Sequence, residues 1–464
     1  MNDLILDYNF LLAEMVGEEH GIRETDLNYV RKRAGRFARD VSRKRKAGEL
    51  GFFGLPYDRA GQERILAEAD RVRKRFRNLV VLGLGGSSLG TKALHQALNP
   101  KEYNVYPRKG CPRLFLLDNI DPRAMADVIE ILDPDETAVN VVSKSGVTTE
   151  TLAQYLVCKG WLEEALGESA KEHFYFTTDP DQGPLREIAA REGHHAFPVP
   201  TDVSGRFSVL SPVGLFPAAC VGIEIAAICE GAAHMYERCR VDVMEENPGL
   251  MYAALMYLMD LRRKKNIQVI FSYSTRLAGL ADWTVELMAE SLGKKLDEEG
   301  KEVYSGPTPV KAVGVTDQHS QAQLFIEGPN NKVFTFLKVE DHGAKLFVPP
   351  GLEQGDDFSY LANHPLSEIL ESERVGMELA LKEAERPSCL LTLPDISPQS
   401  VGQYITLMEF AVTIMSRYYK VDPFNQPGAE VSRNKAMSLL GREGLLEKRD
   451  EIVESLDKDA MFRI

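Results

Sequence analysis

Short runs of uninterrupted apolar residues alternate with stretches of helical period along most of this chain. Residues 78–86 (NLVVLGLGG), 112–119 (PRLFLLDN), 137–146 (TAVNVVSKSG) and 173–178 (HFYFTT) form a first series. Continuous Val, Leu and Phe runs bounded by glycine and polar residues predict strands buried on both faces, and the helical stretches between them predict parallel βαβ units. A second series starts at 266–274 (NIQVIFSYS), passes through the helical pattern of 281–293 and reaches 332–341 (KVFTFLKVED). The expected fold class is therefore α/β, with two doubly wound parallel sheets in tandem joined by a helix-rich segment over 215–261. The domain boundaries read as an N-terminal helical segment (1–50), a first α/β domain (51–235), a second (236–424) and a C-terminal helical segment (425–464). The most apolar stretch, 213–229, is broken by Pro217 and Glu224. It is shorter than a membrane span requires and reads as one buried helix.

Composition narrows the picture modestly. Of 464 residues, 44% are hydrophobic and 27% charged, the balance of a packed globular protein rather than a disordered one. Lys and Arg total 55 against 69 Asp and Glu, a formal charge of −14 that opposes nonspecific binding to nucleic acid or to an anionic membrane. The basic run at 31–46 has no aromatics alternating with its bases, so it lacks stacking platforms and reads as a solvated helix face. Six scattered cysteines form no CxxC pair, which argues against a disulfide framework or a zinc site. With no signal-peptide pattern at the start, a reducing cytoplasm is expected.

Two strand-to-helix junctions carry candidate chemistry. The first, Gly83-Leu84-Gly85-Gly86-Ser87-Ser88-Leu89-Gly90, lets backbone approach a ligand closely and offers the free amides of a helix start to an anion. It fits neither nucleotide fingerprint: GxGxxG fails at Ser88, and the Walker pattern fails at Gly90-Thr91-Lys92. Asp118 lies too far along to serve as the acidic residue of a dinucleotide site. The second junction, Ser143-Lys144-Ser145-Gly146-Val147-Thr148-Thr149-Glu150-Thr151, brings hydroxyls, an ammonium and first-turn amides to one strand end. That is the chemistry needed to hold a phosphate dianion without a metal. An N-cap cluster is the plainer alternative, but five hydroxyls exceed what one helix start uses.

In order, the segments GLGGSSLG, SKSGVTTET, GRFSVLSPVGLFP, AESLGKK, TDQHSQAQ and NQPGAE resemble the glucose-6-phosphate isomerase family, in its compact bacterial form. The resemblance runs from about Asn78 to Lys435. It implies two sugar-isomerase (SIS) domains and reversible interconversion of glucose 6-phosphate and fructose 6-phosphate through a cis-enediol, in glycolysis and gluconeogenesis. It implies no metal and no organic cofactor. Ser143, Ser145, Thr148 and Thr151 would hold the phosphate with Lys144 nearby, while Gly86, Ser87 and Gln426 would line the sugar pocket. Arg206 would meet charge developing on the enediolate oxygens, a task suited to a permanently cationic fork.

By the same resemblance Glu290 is the base that carries a proton between neighbouring carbons, although Glu286, four residues earlier on the same helical face, serves equally on chemistry alone. His319 matches the family's ring-opening histidine, which reaches the site from the other subunit and so implies a homodimer with shared active sites. The chain departs from the family at Arg433, where a lysine is usual. Arg433 would hold the ring oxygen electrostatically while His319 handles the proton, since Lys435 lies about 200° around the helix. Tolerance of the C2 epimer, as in a dual phosphoglucose/phosphomannose isomerase, and a silent sugar-phosphate-binding regulator are the alternatives. The joint presence of Glu290 and His319 favours the enzyme.

Overall fold

The protein is described by a computed structural model covering residues 2–350, 357–456, 458 and 460–463. Two five-stranded sheets dominate it. The first is wholly parallel, in the spatial order Arg113–Leu117, Asn78–Leu82, Thr137–Ser143, Phe174–Thr178, His195–Pro198. Every residue of Asn78–Leu82 and Thr137–Ser143 is buried, as the unbroken apolar runs required. The second sheet repeats the order of the first four strands. It runs Thr308–Val313, Ile267–Ser272, Lys332–Asp341, Ser388–Asp395, all parallel.

Its fifth position departs from the sequence reading. Ile5–Asp7 pairs antiparallel with Ser388–Asp395, so the N-terminal segment is not purely helical and the second sheet is mixed. The three residues are too few to carry a periodic signal, and the edge of the sheet draws them in because an unpaired strand edge exposes amides and carbonyls. The remainder of that segment follows expectation: Glu24–Lys46 is an amphipathic helix with Leu27, Val30, Ala34, Ala38 and Val41 buried. Most of its basic residues reach the surface, where Arg31 pairs with Glu245 and Arg39 with Asp242, while Arg45 packs against the rings of Tyr57 and Tyr236. The stretch 213–229 is two buried helices, Pro212–Cys220 and Ile225–Cys239, rather than one. Gly222 at φ +76° makes the turn between them.

The sheets are not separate globules. Leu79 and Val81 on the inner face of the first sheet join the same apolar cluster as Ile270, Leu337 and Leu391 of the second. Their alternate neighbours Val80 and Leu82, or Val269 and Phe271, fill two outer clusters under the flanking helices. All six cysteines are free and five are buried. Among the described residues no helix is long and apolar enough to cross a membrane.

The helical layer between the sheets includes Pro398–Tyr419, nearly all of it buried. It lies against Ile225–Cys239 at backbone contact: a Cβ on Gly231 would stand 1.9 Å from the Gln399 carbonyl oxygen, and one on Gly402 would stand 2.0 Å from that of Ile228. Neither helix backbone has a flexible end that can give way. We predict that Gly402→Ala lowers stability by about 1–3 kcal/mol, as overpacking does, seen as a fall in the denaturant midpoint. An unchanged midpoint would mean that the two helices can separate freely.

Candidate active site

In both sheets the first and third strands lie side by side, and their crossovers leave on opposite sides. Such a switch point opens a crevice beyond the carboxyl ends of the strands. In the first sheet those strands are Asn78–Leu82 and Thr137–Ser143, so the two glycine- and hydroxyl-rich junctions emerge together.

The second junction forms an anion-type cradle. Gly146 takes φ +66°, turning the chain directly into the helix Thr149–Leu166. No side chain caps that helix, so its first-turn amides remain available and the N-cap alternative fails. Ser143 Oγ and Thr148 Oγ1 share a hydrogen bond of 2.9 Å, and Ser143 Oγ also accepts from Gly146 N–H. Ser145 is exposed and accepts from Val147 N–H. Thr151 Oγ1 is buried without a hydrogen-bond partner, as is Thr178 Oγ1 at the end of the adjoining strand. Lys144 does not stand over the cradle. Its ammonium donates to the carbonyls of Thr201 (2.8 Å) and Val203 (2.6 Å), and burial draws its pKa below the usual lysine range.

The first junction packs against a buried arginine. Gly85 at φ +53° and Gly86 make a single turn before the helix Leu89–Leu98. A Cβ on Gly86 would lie 2.4 Å from the Gly205 carbonyl carbon and 2.6 Å from Arg206 N, so only glycine permits this approach. Ser87 sits half-buried in the same turn. The Arg206 side chain is 3% exposed. Its Nε donates to Ser291 Oγ (2.9 Å), one terminal nitrogen to Gln426 Oε1 (3.1 Å), and the other to the carbonyls of Asn425 (3.0 Å) and Pro423. Burial disfavours its charge, and Glu290 with Glu286 opposes that effect.

Two carboxyls on the helix Ala278–Leu292 face this guanidinium. Glu290 Oε2 lies 3.5 Å from Arg206, and its side chain is 41% exposed, open to the crevice. Glu286 is more enclosed. Burial, and then the neighbouring Glu290, raise its pKa to about 7. Neither glutamate is on a merely solvated face. Lys294, two residues past the helix, donates to the carbonyls of Glu290 and Asn425 (2.9 Å). Burial and then Arg206 pull its pKa down to about 8. Sequence reasoning passed over Lys294, Ser291 and the carbonyls of Pro423 and Asn425. The ESLGK segment contained the first two, but a lysine is read as surface by default and a carbonyl leaves no mark in sequence.

The remaining candidates stand apart. His319 is exposed on the helix Thr316–Glu327, with no side-chain bond to any residue above. Arg433 is half-buried on the helix Pro427–Leu439, about two turns beyond Gln426 at its N-cap and so on the same side, whereas Lys435 is exposed and roughly opposite. A cavity of about 870 Å³ opens beside the cluster and touches it at Lys294, Pro423 and Asn425; Arg206 and Glu290 do not line it. Among the described residues no three His, Cys, Asp or Glu side chains are placed to hold a metal ion.

A buried guanidinium with a half-open carboxylate stands next to an anion-type cradle at a switch point, chemistry that suits a small anionic ligand. Known proteins resemble this chain in sequence and in fold. The family model for phosphoglucose isomerase matches residues 68–457. A glucose-6-phosphate isomerase of Carboxydothermus hydrogenoformans is 40% identical over 97% of both chains. A solved structure from Thermus thermophilus, described as a hypothetical protein, superposes with a TM-score of 0.82 at 36% identity, covering 95% of this chain and 100% of its own. A glucose-6-phosphate isomerase from Chlamydia trachomatis shares the fold, with a TM-score of 0.74 at 24% identity over 85% of this chain and 76% of its own. Matched in sequence along nearly its whole length, the chain belongs to the phosphoglucose isomerase family.

Proposed function

We propose that this protein interconverts glucose 6-phosphate and fructose 6-phosphate, with Glu290 as the base. The observation that carries the reading is Glu290 Oε2 at 3.5 Å from a shielded Arg206, in the crevice shared with the Ser143–Thr151 cradle. The cradle holds the phosphate, a group that takes no part in bond changes, and its binding energy fixes C1 and C2 against the carboxylate. Glu290 removes the proton from the carbon next to the carbonyl. The electron pair moves toward the carbonyl oxygen, giving an enediolate; the hydroxyl proton of the neighbouring carbon passes to that oxygen, a new carbonyl forms where the hydroxyl stood, and the same carboxylate delivers its proton to the former carbonyl carbon. Arg206 is locked by Ser291, Gln426, Pro423 and Asn425, so its charge is already oriented when the oxyanion forms and need not reorganise. Gly86 and Ser87 border the sugar, and Gln426 ties the C-terminal helix to it. Arg433, on the Gln426 side of that helix, steadies the ring oxygen.

His319 opens the ring in the active site of a second copy, so the working unit is a homodimer. Its exposure, and the lack of side-chain bonds to it among the described residues, support this. So do the apolar side chains exposed nearby in sequence, among them Leu324, Leu346, Phe347 and Tyr360. The free, largely buried thiols support a reducing compartment, the cytoplasm.

A coupled assay that records NADPH from fructose 6-phosphate through glucose-6-phosphate dehydrogenase tests the activity directly; no signal refutes it. Glu290→Gln is expected to lower kcat at least about 10²-fold, with KM changed only a few-fold. Thr151→Val removes a buried hydroxyl that has no protein partner, so the melting temperature is expected to hold while KM rises about tenfold, the loss of one hydrogen bond to a charged group. Mixing inactive Glu290→Gln and His319→Ala subunits and allowing exchange is expected to restore about a quarter of wild-type activity, because half the dimers are mixed and each has one intact site. No recovery after demonstrated exchange would place the histidine in its own subunit's site.

A further inference from the structure

One carboxyl at the site has no part in the steps above. Glu286 lies one helical turn before Glu290 and faces the same guanidinium. Its Oε1 is 2.8 Å from where a Cβ on Gly85 would stand, its carboxyl accepts from the Gly86 amide, and its Oε2 is buried without a hydrogen-bond partner. An ionised carboxylate in that position puts charge on a desolvated oxygen with no donor in reach, a larger cost than burying the same group as the neutral acid. Two carboxylates before one cation do not both ionise easily, and the more enclosed one takes the proton.

We propose that Glu286 is a positioning residue: held as the neutral acid, it bridges the reaction helix to the glycine turn and leaves the Arg206 charge to Glu290 and the reacting oxygens. The inference rests on the isomerase reading for its kinetic consequence, but not for the protonation state itself. The groups facing Glu286 are few. Glu290 acts from its own helix, Arg206 from the turn Gly205–Phe207, and the glycine turn offers only an amide. Other charges near this helix are engaged elsewhere. Lys294 and Asp422 act on Arg206. Lys311 pairs with Asp282, and Lys92 of the helix Leu89–Leu98 pairs with Asp118. On Pro398–Tyr419, Tyr404 bonds Thr284, and Glu409 is itself fully buried, its pKa pushed up by that burial.

The direction with pH follows. The raised value, about 7 in the free protein, means that Glu286 is neutral in mild acid and ionises as pH rises through neutrality. Ionisation then brings a second negative charge onto Arg206 and weakens its hold on an oxyanion, so kcat/KM falls on the alkaline side. In Glu286→Gln, which keeps the shape of the neutral acid, that fall is expected to vanish or move up by at least about one pH unit. The position of the limb is the reading, whatever the absolute rate.

The direct measurement is the titration of carbon-13-labelled glutamate carboxyls, with the Glu286 resonance assigned against Glu286→Gln, or against Glu286→Asp if the glutamine variant folds poorly. A midpoint near 7 supports the proposal; a midpoint among ordinary carboxylates overturns it. An alkaline limb that does not move in Glu286→Gln also overturns it. So does loss of turnover at every pH in Glu286→Gln while Glu290→Gln stays active, since Glu286 is then the base. Wild-type protein with no isomerase activity refutes the functional reading instead, and the carboxyl titration still decides the state of Glu286.

Discussion

Everything at the site depends on where the Arg206 guanidinium is kept. A permanent positive charge that is almost wholly shielded from water is costly unless each donor finds an acceptor and a compensating charge lies near. Its acceptors come from distant parts of the chain: Ser291 at the end of the reaction helix, Gln426 at a C-terminal helix start, and carbonyls of Pro423 and Asn425 between. The glycine turn of the first sheet touches the arginine's own backbone. One side chain therefore ties together the first sheet, the helix Ala278–Leu292 and the chain at 423–426. The carboxylate left open beside it is that of Glu290.

The sheets supply the frame for that convergence. Each has the same order over four strands, and each opens a crevice at the same place in that order. Only the first sheet's crevice holds the cradle. The second sheet contributes through the helix that follows Ile267–Ser272 and carries both glutamates. Because the inner faces of the two sheets share one apolar core, the relative position of cradle and carboxylates is set by close packing rather than by a linker.

Much of this was legible in the sequence, and the reasons are physical. Strands buried on both faces appear as unbroken apolar runs, so Asn78–Leu82, Thr137–Ser143 and Ile267–Ser272 were readable directly. The cradle was readable because hydroxyls and glycine crowd at one strand end. What escaped has a common cause: it depends on tertiary partners. Ile5–Asp7 became a strand only because a sheet edge far along the chain was available. The division of 213–229 at Gly222 needed a backbone angle, and an apolar run records only burial. The carbonyls of Thr201 and Val203 take the Lys144 ammonium, a pairing across more than fifty residues that no local pattern records. Glu286 and Glu290 share a helical face, and only the arginine and the glycine turn distinguish the enclosed one from the open one.

The antiparallel pairing of Ile5–Asp7 bears on how the molecule is assembled during synthesis. Leu4 and Gln403 are 399 positions apart and share a hydrogen bond. On the ribosome the first sheet has all its strands once residue 198 has emerged, but the early strand must wait, unpaired, until Ser388–Asp395 follows. Long-range closure of this kind is slow. The nascent protein therefore carries an orphan edge for most of its translation, and closing it joins residues made early to residues made late.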